Sequence, residues 1–201
     1  ATVVRKYQPF FGYNNLKITH LLEMLNSSTD ASVTVKPLAE TVNTEQGGEF
    51  SPVFPSGEKR MYFCGTGRSD NIGGEDIFVS ERVGDVWAKP QVINEFSTSK
   101  FNDAPLSISG DGTQMLFVRN GKFYTAQKTS VSWTIPKFLE GPFYSFGNVL
   151  DGAFIPDGKG ILFTTLKPDK LSSLFPEMKD SFQQTDIFIC LQDDNNNWSQ
   201  P

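Results

Sequence analysis

The sequence predicts an all-β chain assembled from a repeated four-stranded unit. Three observations carry that expectation. The 201 residues include 17 glycines and 12 prolines, a composition that suits short strands and tight turns more than long helices. The aromatic fraction is 13%, with 18 phenylalanines, so a core can be built although the hydrophobic fraction is only 38%. Each of the three tryptophans is followed three residues later by proline: Trp87 and Pro90, Trp133 and Pro136, Trp198 and Pro201.

Two further aromatics mark each unit. They are Phe63 and Phe78 in the first, Phe117 and Tyr124 in the second, Phe163 and Phe188 in the third. The step from tryptophan to the next unit's first aromatic is 30 residues both times. The step from second aromatic to tryptophan is 9, 9 and 10, whereas the two aromatics lie 15, 7 and 25 apart. Only one loop changes length, as expected of a structural repeat with a variable surface loop.

Each unit reads as strands A to D. Strand A is "SPVF", "APLSIS" or "GAFI". Asp111-Gly112 and Asp157-Gly158 then mark A–B hairpins, because glycine tolerates positive φ and aspartate bonds its own backbone. Strand B carries "MYF", "MLF" or "ILF". Asn120-Gly121 predicts a type I′ turn into strand C of the second unit. Strand D carries the tryptophan and ends at proline, which has no N–H for a ladder. Four antiparallel strands per unit predict β-propeller blades over about 49–90, 102–136 and 149–201, with the tryptophan packed between neighbouring blades. Three blades are fewer than the roughly four to eight of a ring, so the chain is expected to be part of a longer protein, in preference to a ring completed by self-association or a partner.

The motifs resemble the WD-like β-propeller repeat of the TolB type, as found in OmpA-associated envelope proteins of Bacteroidota. The likeness rests on Glu49, Ser51-Pro52, Met61-Tyr62-Phe63, Gly73-Gly74-Glu75-Asp76-Ile77-Phe78 and Trp87 to Pro90. The second unit lacks the Gly-Gly-x-Asp-Ile run, and the third has Gly152-Ala153 in place of Ser-Pro. The resemblance covers residues 38–201. It implies a periplasmic, outer-membrane-associated protein, with a peptidoglycan link through a domain outside this chain and a role in a secretion or motility assembly.

Residues 1–37 form a separate segment. Leu16, Ile18, Leu21, Leu22 and Leu25 have helical spacing behind a cap at Asn14 or Asn15, which predicts a short N-terminal helix. Residues 32–36 read as a D-like strand.

Little in the sequence points to catalysis. His20 is the single histidine, which argues against a histidine triad or a histidine-rich metal site. Glu49, Asp103 and Asp151 precede the A strands. They read as turn residues in preference to paired acids of a channel-type glycosidase. "SGDG" (109–112) reads as a hairpin, not a sialidase-type box, and "DDNNN" (193–197) as a solvated turn, not a calcium loop. "GTGRSDNIGG" lacks the strand-to-helix context of a phosphate loop. Cys64 and Cys190 are expected to be buried free thiols. No basic run exceeds two residues and the net charge is −5, against a nucleic-acid grip. No apolar run reaches a membrane span, so contact with a membrane is expected to be peripheral at most.

The long B–C loop of the third unit carries Leu171, Leu174, Phe175 and Met178, a candidate partner-binding loop. The sequence therefore predicts a non-enzymatic binding or scaffold module with protein partners and no cofactor. The alternative is the propeller domain of a hydrolase, peptidase-associated or glycosidase-like.

Overall fold

The computed structural model describes residues 36–57, 59–167 and 184–201, together with Glu23, Ser27, Ser32 and Thr34. The chain divides into Ala1–Pro37 and Leu38–Pro201. In the first unit Ser27 N–H donates to the Glu23 carbonyl at 2.9 Å, and no strand runs through Ser32, Thr34 or Lys36. The helix expected over 14–25 lies, Glu23 apart, outside the described residues. Glu23 itself is helical, and in the second unit a 3-10 turn spans Pro142–Tyr144.

The second unit holds three antiparallel sheets. The first contains β1 (Gly48–Val53), β2 (Arg60–Thr66), β3 (Glu75–Val83), β4 (Val86–Trp87) and β5 (Gln91–Val92). Its order is β1-β2-β3, and β3 pairs with both β4 and β5. The second contains β6 (Asp103–Ile108), β7 (Gln114–Arg119), β8 (Lys122–Gln127) and β9 (Lys137–Phe138) in sequence order. The third contains β10 (Val149–Phe154), β11 (Gly160–Lys167) and β12 (Gln184–Leu191).

The marker aromatics fix the register. Phe63 lies opposite Phe78, Phe117 opposite Tyr124 and Phe163 opposite Phe188, with ring centroids 5.7, 5.8 and 5.8 Å apart. Because side chains alternate across a strand, these pairs assign a whole face of each sheet. Tight turns hold the hairpins. Asn120 (φ 49°) and Gly121 (φ 73°) supply the two left-handed residues of a type I′ turn. Asp111 Oδ1 accepts from Ser109 Oγ at 2.6 Å and Thr113 N–H at 3.0 Å, and Asp157 Oδ1 accepts Lys159 N–H at 2.8 Å. Gly112 and Gly158 each have φ 73°.

Hydrophobic clusters join the sheets face to face. Tyr62 and Ile77 of the first sheet meet Met115, Phe117 and Ala126 of the second. The opposite face of the second, through Leu116 and Phe123, meets Ile161, Phe163 and Cys190 of the third. The tryptophans sit on the same rung of each sheet, opposite Arg82, Lys128 and Gln192. Trp133 packs on Tyr62 and Phe96, and Trp198 on Phe143. Trp133 thereby closes the seam between the first two sheets, while Trp198 belongs to the cluster between the second and third.

The expected propeller is corrected here. The three sheets stand as separate open meanders, not four-stranded blades in a ring. The predicted strand D is cut to two residues in the first unit, at Trp87, and to a single bridge in each of the others, at Trp133 and Trp198. The cause is the proline. Pro90 and Pro136 have no N–H to give to a ladder, so pairing stops at the tryptophan and resumes beyond the proline, as β5 and β9. Among the described residues the third sheet has three strands.

Candidate functional site

An open groove of about 500 Å³ runs along the seam between the first and second sheets. Arg60, Tyr62 and Glu81 line it from β2 and β3, Gln91 from β5, and Lys128, Val131 and Trp133 from the turn after β8. The alternation of β2 decides which residues arrive. Tyr62 points into the seam, whereas Met61 and Phe63 belong to the cluster on the opposite face.

Lys128 is the chemical centre of the groove. Its ammonium lies 4.8 Å from the Trp133 ring centroid and donates to the Tyr62 hydroxyl at 3.3 Å. Among the described residues no carboxylate lies within 4.0 Å of it. Tyr62 and Trp133 are buried, 2% and 5% exposed, so the aromatic faces hold the lysine in place and leave its charge toward the groove. Arg60 is different: its guanidinium donates to Glu81 through Nε and Nη2, and that bond holds its pKa above the ordinary arginine value. Three cations, Arg60, Lys89 and Lys128, face two carboxylates, Glu81 and Glu95. The groove is locally cationic on a chain of net charge −5. Val131, 90% exposed, and Val83, 64% exposed, form apolar lips.

The acids singled out from sequence are engaged one by one. Glu49 Oε1 accepts from Arg68 Nη1 at 2.8 Å and Thr44 Oγ1 at 2.7 Å. Asp103, fully buried, accepts from Arg119 Nε at 2.6 Å and Nη2 at 3.1 Å. Asp151 Oδ1 accepts the N–H of Gly152 at 2.7 Å. None of the three sits in a turn: Glu49 lies in β1, Asp103 in β6 and Asp151 in β10, and Glu49 and Asp103 anchor internal ion pairs. Asp193 accepts the N–H groups of Asn195 at 2.9 Å and Asn197 at 2.8 Å, closing its own turn. Among the described residues no three His, Cys, Asp or Glu side chains are grouped to hold a metal ion. Leu171, Leu174, Phe175 and Met178 lie outside the described residues, as does His20.

Sequence reasoning named Trp133 and Tyr62 as parts of the repeat, not of a groove, and did not single out Arg60 or Lys128. A signal was present: Lys128 stands opposite Trp133, four residues after the marker Tyr124. Strand pairing alone would have put a cation on the indole.

Cys64 and Cys190 are free and buried. Burial pushes the Cys190 thiol up to about 11. Burial also raises Cys64, and the charges of Glu75, Asp76 and Asp103 add to it. Since the thiolate is the nucleophile, neither should react with Ellman's reagent in the folded chain, and both should react in denaturant. Rapid labelling of either in the native state would contradict this burial.

No protein-family model matches the chain, and no curated protein matches it. The resemblance to the TolB-type repeat is corrected accordingly. Two of the motifs that carried it have a local cause: Trp-x-x-Pro is an interrupted pairing, and Asp76 of the Gly-Gly-Glu-Asp-Ile run binds its own loop. The envelope placement and the secretion or motility assembly came with that likeness alone, and the comparisons lend them no support.

Proposed function

We propose that the chain is a non-enzymatic protein-binding module whose groove takes an extended, acidic segment of a partner. The observation that carries this reading is the Lys128 ammonium. It is fixed by Trp133 and Tyr62, has no carboxylate partner among the described residues, and opens into a groove with apolar lips. A partner carboxylate meets a positioned cation there. Alternate apolar side chains of the same segment meet Val83 and Val131, the division of labour seen when extended peptides dock. Charge complementarity of this kind mainly sets specificity and on-rate.

The test is fluorescence anisotropy with a labelled peptide of alternating glutamate and valine, beside its lysine counterpart. The glutamate peptide should bind saturably and weaken with added salt. Lys128→Glu should lower its affinity about tenfold or more, equivalent to ~1.4 kcal/mol. Val131→Asp places a carboxylate on the lip without touching the core, and should weaken binding in the same direction. Equal affinity for both peptides, or Lys128→Glu binding as well as the parent, would sink the reading.

A further inference from the structure

Two charged side chains of the groove are bound to each other. Arg60 and Glu81 stand directly opposite on β2 and β3. Arg60 donates to a single Glu81 oxygen, Oε1, through both Nε and Nη2. The side chains are 36% and 61% exposed, and an ion pair so open to water adds little to stability. Its effect falls on what enters the groove.

The charges along the groove show what that effect is. Arg60, Lys89 and Lys128 line it together with Glu81 and Glu95. Lys89 and Glu95 are both exposed and opposite in sign. Arg60 is neutralised where it stands by Glu81. The cation left over is Lys128, held on Trp133 and Tyr62 and with no carboxylate partner among the described residues. Arg60 lies two residues before Tyr62 on β2, so it shares the face of the strand that meets Lys128. With Glu81 neutral, the groove would offer an acidic segment two cations, Arg60 and Lys128. With Arg60 neutral, Glu81 would stand uncompensated beside that segment. Like charges brought together cost affinity and turn partners away.

We infer that the Arg60–Glu81 pair determines the specificity of the groove: Glu81 occupies Arg60, so the groove takes a segment by one carboxylate, seated at Lys128, and gains little from further ones. The inference rests on the reading of the groove as the seat of an extended acidic segment. Arg60 is then a positioning residue. It acts by neutralising Glu81 and not by touching the partner.

The test compares the alternating glutamate–valine peptide with a version in which every glutamate except the central one is serine, again by fluorescence anisotropy. The parent chain should bind the two within about twofold of each other, because an exposed, already paired charge adds little. Glu81→Gln frees Arg60 and should strengthen the alternating peptide about threefold or more, with a smaller gain for the single-glutamate one. Added salt should erase that gain. Arg60→Gln should weaken the alternating peptide by a similar factor, and adding Glu81→Gln to it should recover the loss. A pair that only shaped the groove would weaken binding when either member is changed, so single variants that both weaken it would overturn the inference. So would a Glu81→Gln chain with unchanged affinity. A double variant as weak as Arg60→Gln would overturn it too, by showing that Arg60 touches the partner. These three outcomes leave the reading of the groove intact, whereas a parent chain that binds neither peptide would overturn that reading and this inference together.

Discussion

Replacing Arg119 with methionine should remove about 3–5 kcal/mol of stability, read as a lower urea midpoint at unchanged slope. Asp103 has no solvent exposure, and Arg119 donates to both of its oxygens. The same guanidinium donates to the Phe96 carbonyl at 2.5 Å and lies 5.0 Å from the Phe101 and Tyr124 ring centroids. Methionine keeps the stem that packs on those rings and removes the charge, leaving a carboxylate buried alone. The double variant Asp103→Leu with Arg119→Met should recover most of the loss, because an apolar pair leaves nothing unsatisfied. A double variant as unstable as the single one would show that the guanidinium matters through its carbonyl and ring contacts and not through Asp103.

The same variant has a pH signature. Burial holds the Asp103 carboxyl above its ordinary range, against the opposing hydrogen bond and charge of Arg119. Without Arg119 it rises further. A carboxyl with a folded pKa above its unfolded value of about 3.9 binds its proton more tightly in the native state. Stability is then fully present below the unfolded pKa and is lost as pH rises through the folded one. The Arg119→Met deficit should therefore be smaller near pH ~4 than near pH ~7. The parent chain should show the same slope in weaker form. A deficit that grows on acidification would reverse the assigned direction.

Local features of this fold were legible in the sequence, and long-range ones were not. Cross-strand aromatics could be anticipated because spacing along two adjacent strands fixes which residues face each other. Turns such as Asn120-Gly121 could be anticipated because backbone geometry at positive φ selects residue type. Strand D was misjudged for a reason of the same local kind. The proline predicts the end of a strand, whereas the chain re-pairs beyond it at Gln91–Val92 and Lys137–Phe138. Ring closure depends on how sheets meet, and no spacing in the chain encodes that. The groove shows the same limit. Tyr62 and Lys128 are 66 residues apart in the chain and meet only because the first and second sheets stack. Asp103 and Arg119 were hidden differently. Both are charged residues in ordinary strand positions, and only burial reveals that they depend on each other.

Asp76 offers the sharpest test of why the long loop of the first sheet holds its shape. Its carboxylate is fully buried. Oδ2 accepts from Asn71 Nδ2 at 2.8 Å, Ile72 N–H at 2.7 Å and Gly73 N–H at 2.9 Å, while Oδ1 has no partner. One oxygen thus gathers three donors from the loop before β3. Loop residues lack ladder partners, so their N–H groups need an acceptor from elsewhere. Asp76→Ala strands the Ile72 and Gly73 N–H groups and removes one of the two bonds of Asn71 Nδ2. Each unsatisfied buried donor costs about 1–3 kcal/mol, and water reaching the loop offsets part of that. The expected loss is roughly 2–4 kcal/mol in urea unfolding, with faster amide exchange at Ile72 and Gly73. Asp76→Asn separates charge from connectivity. It keeps one oxygen for the three donors and puts the amide nitrogen where Oδ1 had no partner, so about 1 kcal/mol or less should be lost. If asparagine costs as much as alanine, the negative charge holds the loop and the number of accepted bonds does not. In that case Asn71→Ala in the Asp76→Asn background, which also removes the bond from Asn71 Nδ2 to the Gly65 carbonyl at 2.7 Å and the one from Arg68 N–H to Asn71 Oδ1 at 2.8 Å, should loosen the loop further and leave the Thr66 Oγ1 bond to the Gly74 carbonyl at 2.8 Å as one of its ties.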